Sequence, residues 1–214
     1  MVSVIGMLRD EVVERSWRVL GELKGFADFV LIGGWGVYFW TRKLKSRDID
    51  VYIDQKNFYK FQSELTLRGY ALKRNVRLMK FEALISDVEV DIYTPFVSRL
   101  VIPCLDVFDR KLYSVIEGFK VAIPEVLLLL KAQVARDRWH AEKGLKDRVD
   151  IISLLKFADV KREVLEQMLR EYDTQHRLRD VIKRAISESR IEYKFLGLAY
   201  ERDGVQLKKS YENL

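Results

Sequence analysis

Apolar and polar positions alternate with a period of two over residues 48–53 and 88–93, and each stretch predicts a half-buried strand. In the first, Ile49, Val51 and Ile53 share one face and Asp48, Asp50 and Tyr52 the other. In the second, Val88, Val90 and Ile92 oppose Glu89, Asp91 and Tyr93. The apolar run 29–32 predicts a short buried strand ended by Gly33-Gly34, with a helix-sized piece over 35–44 behind it. Helical spacing predicts an amphipathic helix over 3–24, with Val4, Leu8, Val12, Val19 and Leu23 on its stripe and Gly25 closing it. A second helix is predicted over 56–68, with Phe58, Phe61, Leu65 and Leu67 inward and Gly69 at its end. Residues 70–72 and 77–85 predict two further strands, joined through a basic patch of Lys73, Arg74, Arg77 and Lys80.

The pattern then changes. Residues 94–120, with Pro95, Pro103 and Gly118, carry no long periodic run and read as a connector. From Val121 the composition is helical: Pro124 opens a helix in the preferred way, 126–140 and 145–157 follow, and 161–189 reads as one long charged helix. In the tail, 191–214, Tyr193, Phe195, Leu196 and Tyr200 point to packing. The boundary is set near Gly118, giving domains 1–118 and 119–214.

Composition narrows the class. The 214 residues allow one large domain or two small ones, and 49% apolar with 33% charged residues fits a globular protein with a core of normal size. A single cysteine, Cys104, excludes an internal disulfide framework and a cysteine-rich zinc site. His140 and His176 lie outside the acid-bearing strands, so a histidine-rich metal centre is not expected. The first ten residues lack the order of a signal peptide, and the longest apolar run, 126–130, is far too short to span a bilayer. No membrane association is expected, and the expected location is the cytoplasm. A formal charge of +6 and a pI near 9.3 lean toward a polyanionic partner.

The chemistry lies in the acids. Asp48 and Asp50 on one face of one strand stand roughly 6–7 Å apart by strand rise. Such a pair suits hard cations, which take carboxylate oxygens and leave positions for phosphate and water. Asp91 on another strand supplies a third carboxylate. Three such groups repel one another unless a cation joins them. Glycine at 33 and 34 lets the backbone approach a ligand closely. Arg42, Lys43, Lys45 and Arg47 form a basic loop before the acids.

Gly33-Gly34, the thirteen intervening residues 35–47, then Asp48-Ile49-Asp50-Val51, with Asp91 on a later strand, resemble the nucleotidyltransferase (polymerase beta-like) superfamily. The second half narrows the resemblance. Lys131 with Arg136 five residues on, and Asp150-Ile151 later, are similar to the second half of AbiEii-like toxin nucleotidyltransferases, over about residues 29–157 in all. The resemblance implies an α+β fold, a mixed sheet with flanking helices followed by a helical C-terminal domain. It implies that Asp48, Asp50 and Asp91 are catalytic and metal-binding, and that Gly33, Gly34, Lys131 and Asp150 serve the nucleotide. Asp147 competes with Asp150 for the supporting role. Many family members carry Ser or Thr where this chain has Trp35, so phosphate contact there would fall to backbone N–H groups.

The activity implied is transfer of an NMP group from an NTP to an acceptor hydroxyl with release of pyrophosphate, dependent on Mg²⁺ or Mn²⁺. A tRNA acceptor fits the basic charge and the toxin-like resemblance, which also implies an antitoxin partner. A protein hydroxyl or a small molecule such as an aminoglycoside is served by the same fold. A non-catalytic module that binds nucleotide or RNA is the alternative, and a purely structural domain is a third.

Overall fold

The computed structural model describes residues 10–175, 177–212 and 214. They fall into two units. The first comprises residues 10–39, 45–99 and 103–122; the second comprises 40–44, 100–102 and 123–214, with 176 and 213 outside the description.

The first unit is built on a sheet of seven strands among the described residues: β1 (Val30–Ile32), β2 (Ile49–Tyr52), β3 (Leu72–Asn75), β4 (Lys80–Ile85), β5 (Val88–Tyr93), β6 (Tyr113–Ile116) and β7 (Phe119–Ala122). Their order is β3-β4-β5-β2-β1-β7-β6. The sheet is mixed: β2 runs parallel to β5 and β1 parallel to β7, and the other neighbours are antiparallel. Val51, Val90, Ile92, Ala83 and Ile85 are buried on one face. The alternation of the sequence forces the acids of β2 and β5 onto the opposite face.

Helix α1 (Asp10–Leu23) buries Val13, Ser16, Val19, Leu20 and Leu23, while Val12 is only half-buried. Val19 and Leu23 keep their expected places, and toward the start of the helix the buried positions are Val13 and Ser16 rather than Val12; Ser16 accepts a hydrogen bond from Trp35 Nε1 at 2.8 Å. Val4 and Leu8 lie outside the described residues. α2 (Gly33–Thr41) follows β1 without a loop. α3 (Gln55–Leu67) is capped by Asp54, whose carboxylate accepts from the Asn57 N–H at 2.7 Å. Phe61 and Leu65 are buried there, but Leu67 is 81% exposed, since it falls on the far side of the helix from them.

The expected connector is structured. It holds α4 (Cys104–Asp109) and the hairpin of β6 and β7, whose turn places Glu117 and Gly118 at φ 51° and 76°. Two successive left-handed residues give the turn that matches strand twist. Residues 119–122, expected on the helical side of the boundary, complete the sheet beside β1. Cys104 is a buried core residue, and burial pushes its thiol up to about 12.

The second unit is helical: α5 (Pro124–Asp137), α6 (Glu142–Phe157), α7 (Arg162–Tyr172), α8 (Arg177–Glu188), α9 (Ile191–Phe195), a π-helical turn (Tyr200–Gly204) and α10 (Val205–Ser210). Val126 to Leu129 of α5 are wholly buried. Each such side chain contributes about 1.5–3 kcal/mol. The long helix expected over 161–189 is two. Asp173 ends α7, and its carboxylate accepts the N–H groups of Leu178 and Arg179 at 3.0 and 2.9 Å, capping α8. In the tail Tyr193 is fully buried and donates to the Ile186 carbonyl at 3.2 Å. No helix among the described residues is long and apolar enough to cross a membrane.

Candidate active site

The polar face of β2, β5 and β4 carries the site. Register sets Asp50 beside Asp91 across the parallel pair, and Glu82 opposite Asp91 across the antiparallel pair. Asp48 immediately precedes β2, and its Oδ1 accepts from Ser46 Oγ at 2.6 Å. The negative charge of Asp48 reaches Asp91, and those of Asp50, Asp91 and Asp48 all reach the half-buried Tyr93, whose phenol is held above its usual range by desolvation first and by these acids second. The structure therefore brings Asp48, Asp50 and Asp91 to one face, with Glu82 as a fourth acid.

Gly33 adjoins them. It sits at φ +61°, and a Cβ built there would lie 2.0 Å from Asp50 Oδ2. The backbone at the start of α2 thus lies against the Asp50 carboxylate, in a space that only glycine leaves open. Gly34 is the next residue of α2, and both glycines fall in its first turn, where backbone N–H groups lack partners within the helix.

Lys80 departs from expectation. Its Nζ lies 2.5 Å from Asp91 Oδ2 and 3.1 Å from Glu82 Oε1, and the residue is 9% exposed. It is a cation set within the acid row and not part of the exposed patch of Lys73, Arg74 and Arg77. Burial raises the Asp91 carboxyl above its ordinary value, and the Lys80 ammonium opposes that rise. Among the described residues no three His, Cys, Asp or Glu side chains converge as they would around a metal ion. Asp91 faces an ammonium instead. The donor set nonetheless fits a hard divalent ion at Asp48 and Asp50, whose oxygens are the ligand type that Mg²⁺ and Mn²⁺ take.

Trp35 is fully buried. Its indole packs against Trp17 at 5.2 Å and edge-on to Tyr38 at 5.4 Å. It is a core residue of the first unit, as an aromatic beside a glycine turn commonly is.

Lys131 and Asp150 belong to the second unit, and there they meet each other. Lys131 Nζ is 2.7 Å from Asp150 Oδ2 and 3.4 Å from Asp147 Oδ1. Asp147 also takes Arg138, at 2.7 Å from its Nε. All three members of the Lys131 cluster are buried. Asp147 and Asp150, which compete for one role in the sequence, share one lysine in the structure. Arg136 lies on the exposed side of α5, paired with Asp137 at 2.8 Å.

No protein-family model matches the chain, and no curated protein matches it. Solved structures do. The chain is similar to an antigenic nucleotidyltransferase-like protein from Paracoccidioides brasiliensis, at 16% identity over 82% of this chain and 93% of that one, with a TM-score of 0.47. It is similar to the antibiotic-resistance factor ANT(2'')-Ia in solution, at 14% identity over 79% of this chain and 94% of that one, with a TM-score of 0.50. It is also similar to ANT(2")-Ia in complex with adenylyl-2"-tobramycin, at 13% identity over 78% and 99%, with a TM-score of 0.47. The fold is that of nucleotidyltransferase-like proteins: an α+β mixed sheet with flanking helices.

Proposed function

We propose that the chain is a metal-dependent nucleotidyltransferase that moves an NMP group from an NTP to an acceptor hydroxyl. The observation that carries this reading is the row Asp48, Asp50 and Asp91 on one sheet face, with Gly33 laid against Asp50. Asp48 and Asp50 would hold Mg²⁺ or Mn²⁺, with Asp91 as the third carboxylate. Bound there, the metal neutralises phosphate oxygens and lines up attacking and leaving groups. Gly33 and Gly34 present backbone N–H groups to the phosphates. Asp91 orients the acceptor hydroxyl and receives its proton as the oxygen attacks the α-phosphorus. The bond to the β-phosphate oxygen breaks, and pyrophosphate leaves.

Lys131 as a phosphate ligand and Asp150 as its support rest on the AbiEii-like resemblance. Within the second unit both are engaged in an internal ion pair. The net charge of +6 favours a polyanionic acceptor, and a tRNA 3′ end is the one proposed; a toxin role with an antitoxin partner follows from the same resemblance. ANT(2")-Ia, crystallised with adenylyl-2"-tobramycin, makes a small-molecule hydroxyl the competing acceptor class. A second reading, a module that binds nucleotide or RNA without chemistry, is favoured by the hold of Lys80 on Asp91.

Label transfer from α-³²P-ATP, CTP, GTP and UTP to total tRNA with Mg²⁺ tests the reading, against Asp48→Asn/Asp50→Asn. Label on RNA with the parent chain alone is expected. Mg²⁺-dependent nucleotide binding without RNA label would move the acceptor to a protein or a small molecule. Neither label nor nucleotide binding would overturn the enzyme and leave the binding module.

A further inference from the structure

The position of Lys80 is over-determined. It points to the acid face because β4 alternates, with Lys80 and Glu82 on one side and Phe81 and Ala83 on the other. Its ammonium is held from two sides, by Asp91 at 2.5 Å and Glu82 at 3.1 Å. Glu82 is itself fixed, since its Oε1 accepts from Asn75 Nδ2 at 2.8 Å on β3. Asn75 is the register partner of Lys80. A chain of three side chains on two adjacent strands, Asn75 on β3 with Glu82 and Lys80 on β4, therefore presents a cation to Asp91 on β5. With side-chain exposures of 11% and 16%, neither Lys80 nor Asp91 resembles the solvated surface pairs whose worth is near zero.

We propose that Lys80 is a resident cation of the carboxylate row that makes metal loading stepwise: a first divalent ion goes to Asp48 and Asp50, and a second is accepted only as Asp91 gives up Lys80. The proposal rests on the metal-dependent reading above and adds a control on ion number to it. An ammonium and a divalent ion seek the same oxygen lone pairs. The second ion must therefore break a largely buried ion pair, which lowers its affinity relative to the first. Without the ammonium, Asp91 and Glu82 face each other as like charges across β5 and β4, a pair that a divalent ion relieves. The row would then take its second ion readily.

The test is equilibrium dialysis of Mn²⁺ with the whole chain and the α,β-methylene triphosphates of A, C, G and U in turn, subtracting Mn²⁺ bound by nucleotide alone. The parent, Lys80→Met and Lys80→Arg are compared, with thermal melts to verify folding. The parent is expected to bind one ion tightly and a second at least about tenfold more weakly. Lys80→Met should tighten the second ion by about tenfold or more and leave the first nearly unchanged, while Lys80→Arg keeps the parent isotherm. Two equal sites in the parent, or an isotherm that Lys80→Met does not change, would overturn the proposal and leave the metal-dependent reading standing. Absence of Mn²⁺ binding in every variant would overturn that reading, and the proposal with it. If Lys80→Met fails to fold, Lys80→Gln removes the same charge and carries the same expectations.

Discussion

A methyl group on Gly33 would lie 2.0 Å from Oδ2 of Asp50, 2.6 Å from its Cγ and 2.7 Å from its Cβ. All three distances are shorter than van der Waals contact, and the last involves an atom that no side-chain rotation can move away. The first-turn backbone of α2 and the carboxylate of β2 are thus fitted to each other through the absence of one Cβ. The Gly-Gly pair and the Asp-x-Asp pair, with thirteen residues between them in the sequence, are one structural unit.

Gly33→Ala should therefore act on two levels. Residue 33 has φ +61°, which disfavours any L side chain. Together with the clash, the expected loss is about 1–3 kcal/mol in urea unfolding. In an Asp50→Ala background the contacts to Oδ2 and Cγ disappear and the one to Cβ stays, so the same substitution should cost less, leaving the φ strain and the 2.7 Å contact. Equal costs in both backgrounds would show that the Gly33–Asp50 contact is not what restrains residue 33.

The acid row was legible because a period of two can be read from one strand at a time. Lys80 was not, because the aspartate it meets, Asp91, lies on another strand. The signal was nonetheless present. A two-residue turn at Ser86 and Asp87 joins β4 to β5, and counting outward from it pairs Ile85 with Val88 and Glu82 with Asp91. That arithmetic brings Glu82, and with it Lys80 two residues earlier, to the third aspartate. The break at Asp173 was hidden for a different reason: Asp173 is polar like its neighbours in a charged helix, and only its hydrogen bonds to Leu178 and Arg179 distinguish a cap from a solvated face. Trp35 differs again. The sequence marked a departure from the family pattern, and the hydrogen bond to Ser16 accounts for it as packing within the first unit.

Asp203 should give the helical unit a dependence on acid pH. Its carboxylate takes Lys156 at 3.0 Å and Arg202 at 2.9 Å, and accepts the Ala199 N–H at 3.1 Å. The Lys156 hydrogen bond first, then those of Arg202 and Ala199, hold its carboxyl down at about 2, against 3.8 unperturbed. A depressed folded value means that the folded state binds fewer protons than the unfolded chain. The stabilisation is therefore complete above about pH 4 and fades as pH falls toward 2. Because Arg202 is 76% exposed, solvent screens part of it. Asp203→Asn is expected to cost on the order of 1 kcal/mol at pH 7. Urea titrations at pH 7, 4 and 2.5 should show the gap between parent and variant closing. A gap that stays constant with pH would mean that the ion pairs are not its source.

The last prediction asks what Lys131 does. Its ammonium stands between Asp150 at 2.7 Å and Asp147 at 3.4 Å, with both acids 1% exposed. Asp147 retains Arg138 if the lysine is lost, whereas Oδ1 of Asp150 is buried with no hydrogen-bond partner among the described residues. Lys131→Met therefore leaves Asp150 as an uncompensated buried charge. The expected cost is about 3–5 kcal/mol in urea unfolding. Asp150→Asn alone should also destabilise, because it strands the ammonium in part. The double variant should cost clearly less than the two single costs together, since neither charge is then buried alone. That coupling is what a structural ion pair within the helical unit requires. If the two costs add without coupling and Lys131→Met weakens nucleotide binding instead, the lysine is held for the phosphate that the AbiEii-like resemblance assigns to it, and the pair with Asp150 is the arrangement it leaves on binding.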